Sequence, residues 1–354
     1  MRYLLLAILM LYSVLGLGAS QGPSRPFVFD SGVPAQRGKT VVYIAEDLRN
    51  GGIAGVMRGM REAVAAIGWR LYVVDAQGSD SGRHAAFDEA LALHPDGVVI
   101  GGMDAVRYAD AIARFEDRPV IGWHAGPNPG PIAGTPVRFN VTTDTDQVAR
   151  MAANAAVVHS RGRAGVVIFT DSNFAIATRK TQLMAAVIKR CPECVLLEIR
   201  DIAISQSHLE TPTAVRELLA RHGERWTHSL AINDIYFDHA EQVFASAKLP
   251  LYGRISCISA GDGSASAYQR IRLHRYQTAT VSEPLNFQGW QIVDELNRLF
   301  ANRPPSGYVT PAKLITFSNI NRDGGRQSHY DPENGYRQAY REMWRRQERV
   351  EMSK

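Results

Sequence analysis

Cysteine is scarce in this chain, with three in 354 residues. Two of them stand close together, Cys191-Pro192-Glu193-Cys194, and Cys257 lies alone in an apolar run. A zinc site wants a second ligand pair, which Cys257 cannot supply. A thioredoxin-like pair opens a helix after a strand, whereas this one follows a helical stretch and precedes a strand-like one. A local Cys191–Cys194 disulfide is therefore expected, with a redox or zinc half-motif as the alternatives, and Cys257 is expected as a buried free thiol.

Catalytic signatures are missing too. There is no Gly-x-Ser-x-Gly and no His-Glu-x-x-His. Gly261-Asp262-Gly263 lacks the third glycine of a dinucleotide loop, and Gly51-Gly52-Ile53-Ala54-Gly55 has the wrong spacing. Paired carboxylates would suit glycoside hydrolysis, but no acid is singled out. The expectation is a binding protein without catalytic residues, metal or cofactor. Charge of one sign is also lacking: 40 basic against 35 acidic residues leave +5. Much of the excess lies at the carboxyl end (Arg337, Arg341, Arg345, Arg346, Arg349), with no recognition motif, so no nucleic-acid partner is expected.

Long apolar runs are confined to one place. Met1-Arg2 precedes Tyr3 to Leu11, followed by the small residues Gly16, Gly18, Ala19 and Ser20. A charged start, a short apolar core and a small-residue zone predict a signal peptide over residues 1–20, cleaved after Ala19 or Ser20. An uncleaved anchor is the alternative. The protein is expected to be exported, periplasmic and monomeric. Residues 20–38, rich in Pro, Ser and Gly, predict a loose lead-in.

What remains is a strand–helix rhythm. Val41 to Ala45 reads as a buried strand, and a polar turn, Glu46 to Gly52, follows it. Ile53, Val56, Met57, Met60, Val64 and Ile67 then recur at helical spacing, and Leu71 to Asp75 is a second strand. The unit predicts parallel strands, with ligands at their carboxyl ends. The rhythm continues through a helix near Phe87, strand 98–100, a helix over 105–115 and strand 119–123. A proline-rich break at 126–131, an extended segment at 138–141 and a helix capped at 142–144 come next. It restarts with strands at 165–169, 195–199, 229–232, 255–259 and 277–281 separated by helices, including one from about 211 to 222. A long amphipathic helix after Pro284, a strand at 312–317 and a short surface helix at 336–344 complete the reading.

The ordered strand ends carry a resemblance: Tyr43 to Ile53, Pro119 to His124, Ala231 to Asp234, Gly261 to Ser264 and Thr280 to Pro284. Together they resemble periplasmic solute-binding proteins of the ribose and galactose type, import relatives of the LacI-class regulators. The resemblance implies an α/β fold of two Rossmann-like lobes with parallel sheets joined by a three-strand hinge. It implies an N-terminal lobe of 38–142 plus 285–309, a C-terminal lobe of 143–284 plus 310–317, and a C-terminal extension of 318–354. It also implies capture of a sugar or polyol between the lobes and delivery to an ABC permease. A periplasmic sensor, signalling to a histidine kinase or chemoreceptor, is the alternative.

Transferred to this chain, the resemblance makes Glu46, Asn50, Trp123, His124, Arg179, Asn233, Asp262 and Glu283 the ligand-binding residues, and Phe174, on a strand-to-helix turn with Asp171 and Asn173, is added as a second platform. Carboxylates and amides suit hydroxyls that both donate and accept, Arg179 offers a fork, and Trp123 and Phe174 offer stacking platforms. Two departures stand out. Gly52-Ile53 replaces the aromatic pair common in that loop, and Trp123-His124 replaces an acid and an arginine. Asn233 and Asp262 could instead be helix N-caps, Trp123 core, His124 a loop histidine, and Asp47 solvent-facing.

Overall fold

The computed structural model describes residues 32–324 and 327–345; the predicted signal peptide lies outside the described residues. In chain order the elements are β1 (Thr40–Ala45), α1 (Gly51–Ile67), β2 (Arg70–Asp75), α2 (Asp80–Ala92), β3 (Gly97–Gly101) and α3 (Ala109–Ala113). Then follow β4 (Val120–Trp123), β5 (Val137–Val141), α4 (Thr145–His159), β6 (Gly165–Thr170), α5 (Ala175–Arg190), β7 (Val195–Asp201) and α6 (Ser207–His222). The rest are β8 (His228–Ala231), α7 (Ile235–Ser246), β9 (Ser256–Ser259), α8 (Ala265–Arg272), β10 (Gln277–Ser282), α9 (Leu285–Phe300), β11 (Lys313–Thr316), α10 (Ile320–Asp323) and α11 (Tyr336–Trp344).

Two sheets organise them. The first runs β2-β1-β3-β4-β5, all parallel. The second runs β11-β10-β9-β8-β6-β7, parallel except for the antiparallel pairing of β11 with β10. β1 is buried at all six positions, which is why it reads as a continuous apolar run and not as an alternation. The chain passes between sheets three times: from β5 to α4, from β10 to α9, and from α9 back to β11. α9 packs on α1 at very close range because Gly59 and Gly289 face each other's backbone, where a Cβ would collide.

Three expectations are corrected. The helix over 105–115 shrinks to α3, because Asp104 Oδ1 accepts the amides of Val106 and Arg107 and folds 104–107 into a turn. The helix expected from 211 begins one turn earlier, at Ser207, with Pro212 inside it. The terminal helix does not merely lie on the surface: Tyr336, Tyr340, Met343 and Trp344 are buried against α9, and Trp344 stacks on Trp290 with ring centroids 5.5 Å apart. The described end of the lead-in is also tied down, since Ala35 donates to the Trp344 carbonyl and Gln36 to Asn297 Oδ1.

Cys191 and Cys194 are joined by a disulfide at the end of α5, and burial pushes the free Cys257 thiol up to about 12, which keeps it protonated and inert.

Candidate functional site

The carboxyl ends of both sheets face a shared void of about 730 Å³, counting its mouth. Strands β1, β3 and β4 end there from the first lobe, and β6, β8 and β9 from the second. This is where a parallel sheet leaves its loops free to carry polar side chains, because the strands themselves are buried.

The first lobe contributes the turn after β1. Glu46 is buried and is gripped by Arg83, whose Nε lies 2.8 Å from Oε2. Burial raises the Glu46 carboxyl above its ordinary range, with the Arg83 guanidinium opposing. Asp47 does not face solvent; it is 4% exposed and pairs with Arg49 Nη2 at 2.6 Å. Asn50 caps α1, its Oδ1 accepting the Gly52 amide at 2.9 Å, while the residue lines the void.

The end of β4 departs most from expectation. Trp123 is 1% exposed, its Nε1 donates to Gln288 Oε1 at 2.9 Å, and one indole face is covered by the His124 ring, 4.1 Å away and tilted by 8°. His124 thus occupies one face of the expected stacking platform, while Trp123 itself still lines the void. His124 in turn contacts Glu283 Oε2 at 3.0 Å through Nε2. Glu283 does not line the void; it lies behind it in the β10–α9 crossing, fully buried. Gln288 also donates to Glu283 Oε2 at 3.0 Å and to Thr310 Oγ1 at 3.1 Å, so the network links two of the three crossings. Burial pushes Glu283 up, but His124 and Lys180 overcome that and hold the carboxyl down at about 2.

The second lobe supplies Asp171, Asn173, Phe174, Lys180, Asn233 and Asp262. Asn233 does both jobs open to it: Oδ1 accepts the Ile235 amide at the start of α7, and Nδ2 donates to Asp262 Oδ2 at 2.9 Å. Asp262 is not a cap, because Ser264 caps α8 through Oγ. It is held in place by Asp234, which accepts the amides of Gly263 and Ser264. Across the void the start of α1 comes so close that a Cβ on Gly52 would strike the Asp262 carboxylate. The absence of a side chain at 52 follows from this contact. Burial raises Asp262, with Lys180 and His124 opposing.

Arg179 is a correction. Its guanidinium is half exposed, binds Asp146 with Nη2 2.6 Å from Oδ2, and is not among the lining residues. Among the described residues the void holds two cations: Arg83, engaged by Glu46, and the residue after Arg179, Lys180, 3% exposed, with Nζ 3.9 Å from Glu283 Oε1 and no hydrogen bond to any described residue. The helical stripe shows why: Ala177, Lys180, Thr181 and Met184 are buried on one face of α5, and Arg179 points off it. A charge on the apolar stripe was the signal that could have found Lys180. Arg83 left no such signal, since it reaches Glu46 from the following βα unit.

His124, Asp262 and Glu283 place one donor atom each within 4.8 Å of one another, a cluster that could hold a cation. The Lys180 ammonium already sits at this cluster, and a divalent ion there would meet like charge at short range.

A family model described as periplasmic binding protein domain matches residues 41–304. No curated protein matches the sequence. Among solved structures the chain resembles a galactofuranose binding protein, at 16% identity and TM-score 0.70 over 82% of this chain and 100% of that one. It also resembles an ABC transporter solute binding protein from Agrobacterium vitis solved with α-D-tagatopyranose, at 14% identity and TM-score 0.73 over 82% and 99%. A third is the XylFII–LytSN complex, at 15% identity and TM-score 0.69 over 80% and 99%.

Proposed function

We propose, since the chain belongs to the periplasmic binding protein domain family, that it captures a small uncharged polyhydroxylated ligand, a sugar or polyol, between its lobes and delivers it to an ABC importer. The observation that carries the ligand class is that Lys180 and Asp262 both line the void without bonding each other. Lys180 is a buried ammonium without a hydrogen bond among the described residues, beside a buried carboxylate on the same lobe. A ligand hydroxyl accepts from the first and donates to the second, which neither an amine nor a carboxylate can do alone. The other acids are already answered: Glu46 by Arg83, Asp47 by Arg49, and Asp171 by the Asn173 and Ile204 amides. An anionic ligand would add charge to a void that already holds more acids than bases. Two relatives of this fold are named for or solved with sugars, which supports the same class. Export to the periplasm and a role without catalysis belong to this reading; no helix among the described residues is long and apolar enough to cross a membrane.

The test is a thermal-shift comparison of neutral monosaccharides and polyols with the matching sugar acids. A ligand at a hundredfold excess over its Kd adds roughly 2.7 kcal/mol, which moves the midpoint by several degrees in a protein of this size. With the hit in hand, Lys180→Met and Asp262→Asn are each expected to weaken binding at least tenfold, the worth of a hydrogen bond to a charged group, at roughly 1.5–3 kcal/mol. Arg179→Ala is expected to leave Kd within twofold. A hit confined to sugar acids would sink the uncharged-ligand reading.

A second reading, a periplasmic sensor, draws on one observation: a similar structure is a two-protein complex. Co-purification of the ligand-loaded chain with a permease or with a sensor's periplasmic domain separates the two roles.

A further inference from the structure

Helix α5 carries Phe174 at its N-cap and Ile176, Ala177 and Lys180 within it into the void. Its own lobe leaves its N-terminus bare: Phe174 has no capping side chain, and the first turn holds no acid. The first amide, that of Ala175, donates instead to Asp104 Oδ2 at 3.2 Å. Asp104 follows β3 and belongs to the first lobe. We propose that Asp104, which does not line the void, is a positioning residue for ligand capture: it caps α5 across the cleft and latches the two lobes along that rim.

Three features make the latch specific. The Asp104 carboxylate is aimed by its own turn, because Oδ1 accepts from Val106 and Arg107 at 3.0 and 3.3 Å and leaves Oδ2 directed outward. Beside it a second bond crosses between the lobes, from Arg107 Nη1 to Asn173 Oδ1 at 3.4 Å. The charge also suits the place, since an anion at a helix N-terminus meets the positive end of the macrodipole and an unfilled donor. Neither residue needs to touch a ligand to act. Opening the lobes breaks both bonds, so their strength adds directly to the closed state's share of the population.

The inference rests on the void being the ligand site, but its test uses the full chain with no ligand added. Amide hydrogen exchange of the wild type is compared with Asp104→Ala and Asp104→Asn. The asparagine variant keeps an oxygen for the Val106 and Arg107 amides, so the turn survives, and it turns an NH₂ toward the Ala175 amide in place of the acceptor. Both variants are expected to speed exchange about fivefold, the usual worth of an N-cap, at the Ala175 amide and at the first intrahelical amides, residues 178–180, with α7 unchanged. Wild-type exchange at 175 and 178–180 in both variants overturns the latch. So does an equal acceleration in α7, which would mean general destabilisation. A failed ligand screen leaves this test untouched.

Discussion

Trp290→Ala is expected to lower stability by about 3–5 kcal/mol, the range for deleting a large buried aromatic side chain. Trp290 is fully buried, lies parallel to Trp344 at 5.5 Å, and stands 6.0 Å from Tyr340. Its Nε1 donates to Glu62 Oε2 at 3.2 Å, which ties α9 to α1. One substitution therefore opens a cavity at the junction of α1, α9 and α11. Trp344→Ala is expected to have an effect of the same sign, because that ring is also buried and its Nε1 bond to the buried Asp294 carboxylate is lost with it. Denaturant unfolding followed by tryptophan fluorescence measures both. If Trp290→Ala shifts the unfolding free energy by less than about 1 kcal/mol, α11 does not anchor α9.

Glu283→Ala is expected to cost a similar amount by another route, because removing one partner of a buried ionic cluster strands the rest, typically at about 3–5 kcal/mol. His124 Nε2 and Gln288 Nε2 each lose an acceptor at 3.0 Å, and Lys180 loses its counterion. The pH dependence separates this from simple loss of packing. The folded carboxyl is held at about 2, below its ordinary value of 4.5, so over that window the unfolded chain binds more protons. Stability from Glu283 is thus full above about pH 4.5 and is lost as pH falls toward 2. The shift corresponds to about 3 kcal/mol. Buried Asp234, raised to about 6, contributes in the opposite sense, since its cost grows as pH rises through that value. Subtracting the variant's curve from the wild type's cancels Asp234 and leaves Glu283 together with Asp262, which it raises. A difference that stays constant between pH 5 and 2.5 would show that Glu283 is not held ionised in the fold.

Much of the fold was legible. Buried parallel strands write themselves as uninterrupted apolar runs, and amphipathic helices as a three-and-four spacing, so the order of elements from β1 to α9 could be read, with the extents of α3 and α6 misjudged by a turn or more. The same periodicity hides contacts between units. Arg83 meets Glu46 from a separate element, and Trp344 meets Trp290 across half a hundred residues. Nothing local marks either pair.

The site divides along the same line. That polar residues at strand ends would gather in one void was determined by the sequence, because a parallel sheet puts its carboxyl ends on one side. Glu46, Asn50, His124, Phe174, Asn233 and Asp262 all line it. Which of them are free to meet a ligand was decided only by tertiary structure. Trp123 lines the void with one face given to His124, Glu283 stands behind the void, and Asn50 and Asn233 each give an oxygen to a helix start. Between neighbours Arg179 and Lys180, the turn of a helix decided: 100° of rotation sends one to Asp146 at the surface and the other to the buried acids. Sequence alone specifies which groups a strand end carries; packing specifies which of their lone pairs and protons are left over, and a ligand binds to what is left over.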